Sequence, residues 1–164
     1  MKKNKVKPAS GKLGVLIPGF CGAITTTITG GVEGIKKGED KPIGSLTQMG
    51  RIRLGKRSEK RCPLIKDFVP LAELKDLVFG GWDIFNENLY EAARKASVLE
   101  RPHIERLKKE LSSYRPMKAV FDRKYVKNLN GSWVKEAHSK MHLAEMLRED
   151  IRDFNKKISW TGLL

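Results

Sequence analysis

Gly19, Gly22, Thr25, Thr26 and Thr27 stand close together, directly after the apolar run Val15-Leu16-Ile17-Pro18. Glycines at such a handover let a strand turn sharply into a helix. They also let an anion approach the backbone with no Cβ in the way. The first amides of a helix have no carbonyl partner within it, and the helix dipole favours negative charge at that end. A phosphate or diphosphate is the ligand class that suits such a turn, with the threonine hydroxyls as further donors. The spacing departs from the dinucleotide pattern G-x-G-x-x-G. Phe20-Cys21 lies between the first two glycines where the pattern has one residue, and Thr25 takes the third glycine position. An ordinary tight strand–helix turn uses the same residue types. Glu39 and Asp40 come too early to be the acid that closes the second strand of that pattern.

Other chemistry-bearing residues are sparser. Cys21, at a helix N-terminus, has the setting of a reactive thiol, but a small residue filling a tight turn is the plainer reading. Cys62 is the other cysteine, and the pair has no metal spacing and makes no disulfide framework. His138 and His142 are four apart, a helical metal spacing with no third ligand nearby, so solvent-facing histidines are expected and no metal site. Arg51, Arg53, Lys56, Arg57, Lys60 and Arg61 form the densest basic run. It reads as a solvated face, with a basic nucleic-acid-binding module as the alternative. Few aromatics interleave to stack on bases, so nucleic acid is not the expected partner.

The elements that must position the turn follow from pattern. Lys12 to Ile17 reads as a buried strand stopped by Pro18-Gly19, and a helix is predicted from about Gly22 to Lys37 with Gly38 as its C-cap. Ile43 to Met49 reads as a second strand, and the basic stretch after it as loop. Pro70 to Leu74 suggests a helical turn. Leu77 to Phe79, with Asp83-Ile84 beyond, is another buried strand. Asn88 is a good N-cap for a helix through Ser97, and Pro102 suits the first turn of the next helix, where Ile104, Leu107 and Leu111 share a face. Ala119 to Phe121 is a short extended piece, and Asn128 to Gly131 a turn. A helix from Lys140 to Lys156 carries the stripe Leu143, Leu147, Ile151 and Phe154, and Ile158 begins a last strand. Strands alternating with helices predict an α/β domain with a mostly parallel sheet flanked by helices.

The 164 residues are enough for one core, and 40% hydrophobic with 32% charged residues is a globular balance. A net charge of +14 favours an anionic partner. No apolar run is long enough to cross a bilayer, and no signal-peptide core follows the basic start, so no membrane partner and an intracellular, cytoplasmic location are expected. Residues 1–11 read as a flexible basic arm.

The stretch PGFCGAITTTITGGVEGI resembles the first phosphate loop and helix of myo-inositol-1-phosphate synthases, also called inositol-3-phosphate synthases. The likeness continues through GSLTQMG, FGGWDIF, RPMKAVFDRKYVKNL and LREDIRDF, from Lys12 to Lys157. The resemblance implies a partial Rossmann-like dinucleotide-binding domain over residues 12–164, with NAD as cofactor. It implies conversion of D-glucose 6-phosphate to 1D-myo-inositol 3-phosphate by oxidation, aldol cyclisation and reduction, in a family that is homo-oligomeric (a tetramer). Carried onto this sequence, it places Gly19, Gly22, Ala23, Ile24, Thr25 and Thr26 around the NAD pyrophosphate, and Asp83 on the adenosine side. Two departures stand out. The turn is one residue longer at Phe20-Cys21, and the tail KISWTGLL leaves the family pattern. The second, catalytic and oligomerisation domain of the family is not in the sequence, so the chain reads as an N-terminal fragment without the catalytic residues, expected to be inactive alone.

Overall fold

A computed structural model describes residues 11–69 and 71–160. The basic arm expected over residues 1–11 lies outside them except for Gly11, as do Pro70 of the expected helical turn and residues 161–164. Strand β1 spans Leu13–Pro18, β2 Leu77–Asp83 and β3 Met117–Lys118, and they pair in parallel in the order β1-β2-β3. The register sets Gly14 beside Val78, Leu16 beside Gly80 and Pro18 beside Trp82. Alternation along a strand then gives the sheet two different faces.

One face presents Val15, Ile17, Leu77 and Phe79 to helices α1 (Ala23–Lys36), α4 (Leu89–Ala96), α5 (Arg101–Arg106) and α6 (Lys108–Ser113). Phe20, Leu89, Ile104, Leu107 and Leu111 are fully buried there and form the core. The other face presents Gly14 and Gly80 to helix α7 (Lys140–Trp160), whose Phe154 ring lies over both. A Cβ at Gly80 would stand 2.6 Å from that ring, so the glycines let helix and sheet meet closely.

Local chemistry explains the boundaries. Helix α1 ends in a Schellman motif: Gly38, at φ +74°, sends its amide to Ile35 O, and Glu39 N reaches Gly34 O at 3.0 Å. Helix α4 opens with a capping box, in which the Asn88 side chain accepts from Glu91 N at 3.0 Å and Glu91 Oε2 accepts from Asn88 N. Pro102 lies in the first turn of α5 as expected.

Three expectations change. Ile43 to Met49 is not a strand; it is turn followed by the short helix α2 (Leu46–Met49), with Ile43 and Leu46 exposed, and a second short helix, α3 (Ile65–Phe68), comes before β2. Leu71 to Glu73 is irregular, and the turn of 3₁₀ helix comes later, at Leu74–Asp76. Ile158 continues α7 instead of starting a strand, because its side chain packs beside Gly14.

Candidate functional site

The turn between β1 and α1 sits at the carboxyl ends of the parallel strands, where open α/β sheets bind ligands. Gly19 adopts φ +76°, a conformation that costs glycine nothing, and its missing Cβ would have faced open space. Most of the turn's amides are held by the protein. Gly19 N and Phe20 N both donate to Trp82 O, at 2.8 and 3.0 Å, and Gly22 N donates to Gly19 O at 2.9 Å. Cys21 N donates to Asp83 Oδ2 at 2.8 Å. The Phe20 side chain drops into the core, with its ring 6.5 Å from that of Tyr114. The long turn is therefore a folded-in loop with an apolar anchor.

What the turn leaves open is the start of α1. Ala23, Ile24 and Thr25 follow the N-cap Gly22, so their amides have no intrahelical carbonyl, and among the described residues no turn or loop carbonyl takes them. The threonine hydroxyls are turned inward. Thr26 and Thr27 each donate to Ala23 O, at 2.9 and 2.7 Å, and Thr25 donates to Gly19 O at 3.4 Å. Thr25 and Thr26 are buried, whereas the Ile24 side chain is exposed. The anion-binding capacity of this stretch is thus in backbone N–H groups and the dipole of a 14-residue helix.

Asp83 ends β2 and is buried. Its two oxygens accept from Cys21 N and from Phe85 N, the second at 3.1 Å. Trp82, one residue earlier, points to the opposite face of the sheet, where its Nε1–H donates to Asp150 of α7. The Cys21 thiol reaches Glu87 O at 3.5 Å, and its pKa is pushed up to about 12 by burial first and then by the Asp83 and Glu87 carboxylates. The helix N-terminus does not make it a reactive thiolate.

Beside the turn lies a cleft of about 480 Å³. Gly19, Gly22 and Asp83 line it, and Phe85, Val120 and Leu147 are among its apolar walls. The loop after β3 shapes it, returning past Ile84 so closely that a Cβ on Gly131 would stand 2.7 Å from the Ile84 Cβ. The loop is tied to the carboxyl end of β2 by Ala119 N to Asp83 O and Trp133 N to Ile84 O, at 3.2 and 2.9 Å. The sequence reading missed these walls, since isolated valines and leucines carry no site signal.

The remaining candidates sit elsewhere. His138 precedes α7, so it shares no helical face with His142, and among the described residues no group of three metal-ligating side chains exists. The basic run is an exposed hairpin-like arm, pinned by Ile52 N to Pro63 O and Leu54 N to Arg61 O. It carries no aromatic side chain between residues 51 and 61, and no observation favours a nucleic-acid role for it. Among the described residues no helix is long and apolar enough to cross a membrane.

Comparison with known proteins decides the family. The sequence model of the NAD-binding domain of myo-inositol-1-phosphate synthase matches residues 13–161. This chain belongs to the myo-inositol-1-phosphate synthase family. It is 49% identical to inositol-3-phosphate synthase 1 of Bacteroides thetaiotaomicron over 152 residues, which is 93% of this chain and 35% of that protein. It is 33% identical over 159 residues to inositol-3-phosphate synthase 1 of Oryza sativa subsp. japonica, covering 89% of this chain and 31% of that one. A crystal structure of inositol-3-phosphate synthase from Caenorhabditis elegans superimposes with a TM-score of 0.77 at 27% identity, over 92% of this chain and 32% of that chain. The chain therefore spans about a third of the length of the synthases it matches. The match falls on the NAD-binding segment of the family, and NAD is the cofactor of that segment. The mixed α/β architecture with its parallel sheet is that of the same Rossmann-like region.

Proposed function

We propose that this chain, from Lys12 onward, is the N-terminal part of the NAD-binding domain of an inositol-3-phosphate synthase. One observation carries the reading. Among the described residues no carbonyl takes the amides of Ala23, Ile24 and Thr25, and Gly19 and Gly22, which lead into them, line an apolar cleft at the carboxyl ends of β1 and β2. A dinucleotide asks for that combination: oriented N–H donors for the diphosphate and an apolar slot for a purine. Gly19 and Gly22 keep the approach free of side chains, and Thr25 and Thr26 hold the helix start in shape. In this reading Asp83, which keeps lone pairs free after its two backbone bonds, is the acceptor for the adenosine ribose hydroxyls. When bound, NAD supplies the hydride acceptor and donor of a reaction that begins and ends redox-neutral. The residues named here bind and orient it.

By family likeness, the working protein is a cytoplasmic homo-oligomer that converts D-glucose 6-phosphate to 1D-myo-inositol 3-phosphate. No described residue is assigned to the oxidation or ring closure itself. Calorimetric titration of the folded 164-residue chain with NAD tests the site. Saturable binding to one site is expected, abolished by Gly19→Val, whose β-branched side chain cannot adopt φ +76° without strain. A folded wild-type chain with no NAD affinity would overturn the assignment.

A further inference from the structure

Trp82 is the hub of the turn. Its carbonyl accepts from both Gly19 N and Phe20 N, and the next residue, Asp83, accepts from Cys21 N. Three consecutive amides of the turn thus depend on where two residues of β2 stand. β2 does not set that position alone. On the far face of the sheet, the Trp82 indole donates to Asp150 Oδ2 at 2.6 Å. Asp150 is held in turn by Lys135, whose ammonium lies 2.9 Å from Oδ2 and 3.1 Å from Oδ1. The Lys135 side chain is only 9% exposed. Lys135 comes from the segment that closes the loop after β3, and its amide donates to Ala119 O at 2.8 Å. Asp150 lies on α7 one turn from Leu147, a wall of the cleft. An ion pair this enclosed is costly to desolvate and rarely adds stability over apolar packing. What it supplies is a fixed geometry, joining α7, the β3 loop and the indole of the residue that holds the turn.

We infer that Lys135 and Asp150 are positioning residues for the dinucleotide: acting through Trp82, they fix the Gly19–Cys21 amides and with them the approach to the α1 N-terminus. The inference rests on the dinucleotide site proposed above. It adds that affinity for the diphosphate is set partly from the opposite face of the sheet.

The test uses the full chain with Asp150→Ala, Asp150→Asn and Lys135→Met, each held well below its own melting temperature. Two readouts are taken, NAD affinity by calorimetry and hydrogen exchange at the Gly19 and Phe20 amides. Asp150→Ala removes the acceptor of the indole, so NAD affinity falls by about tenfold and the two amides exchange about tenfold faster. Asp150→Asn keeps a carbonyl oxygen for the indole and restores most of both, a rescue that loss of folding stability alone does not predict. Lys135→Met leaves the carboxylate without its cation, and both readouts move in the direction of Asp150→Ala. If Asp150→Ala does not fold, Trp82→Phe removes the same hydrogen bond from the other side and takes its place. Wild-type affinity and wild-type amide protection in the folded variants would overturn the positioning role. If wild type itself fails to bind NAD, the site assignment falls, while the exchange rates still decide whether the clamp sets the turn.

Discussion

Phe20 converts a turn that is one residue too long for the dinucleotide pattern into a fixed structure, because its ring is buried while the backbone around it bonds to Trp82 and Asp83. The space it needs comes from Gly81. A Cβ there would stand 2.8 Å from the Phe20 ring and would run into the Ile17 carbonyl of the paired strand. Backbone cannot yield as a flexible side chain does. Gly81→Ala is therefore expected to destabilise the chain by about 3 kcal/mol, measured as a shift in the urea midpoint with an unchanged slope. Cys21 gives a chemical check on the same turn. Its thiol is half-buried between carboxylates and stays protonated far above neutral pH, whereas Cys62 is exposed. Iodoacetamide at pH 8 should label Cys62 alone in the folded chain and both thiols in urea, read by peptide mass spectrometry. Early labelling of Cys21 in the folded state would mean that the turn is open.

At the scale of elements, the Asn88 box is the clearest single signal, and its loss is measurable. Asn88→Ala removes the acceptor of Glu91 N and should cost about 1 kcal/mol, while Asn88→Asp, which keeps an acceptor, should cost little by the same urea titration. Elements with such local chemistry were legible in the sequence: β1 bounded by Pro18-Gly19, α1 closed by Gly38, α4 capped by Asn88. Where tertiary contact decides, pattern misled. Ile43 to Met49 has strand-like residues but, among the described residues, no strand pairs with it, and it folds as turn and helix. On α7, the stripe read from apolar residues included Ile151, which is 46% exposed. The sheet-facing place next to it belongs to Asp150, because the Trp82 indole and Lys135 offer it partners. A polar residue on the inner face of a helix is invisible to hydrophobic periodicity. For the same reason the site was half legible. The glycines are visible as a pattern and the β2 aspartate enters only through the family resemblance, but the clamp behind them is a contact between residues 82, 135 and 150 that no spacing encodes.

At the scale of the whole molecule, alkaline pH probes whether the turn and the core form one cooperative unit. Cys21 follows Phe20 in the turn, and the Tyr114 ring lies 6.5 Å from the Phe20 ring. Burial, together with neighbouring carboxylates, keeps both in their protonated forms: Asp83 and Glu87 beside Cys21, and Glu33 beside Tyr114, whose hydroxyl donates to Glu33 Oε1 at 2.8 Å. In the unfolded chain they ionise near their ordinary values of 9.0 and 10.0. Above those values the unfolded state holds fewer protons than the folded one, so stability falls as pH rises, by up to about 1.4 kcal/mol per pH unit for each group. Below pH 9 neither group contributes to the slope. For Cys21 the loss runs from pH 9 to about 12, where its thiol ionises in the folded state as well. Urea unfolding at pH 8, 9, 10 and 11 should therefore show the wild-type chain losing stability more steeply than the Cys21→Ser, Tyr114→Phe double variant. The lysines titrate in both chains and cancel in the comparison. Each single variant should remove its own share of the slope, Cys21→Ser from pH 9 and Tyr114→Phe from pH 10. If the double variant fell as steeply as wild type, water would already reach both groups, and the turn would have to open in the native state without the core.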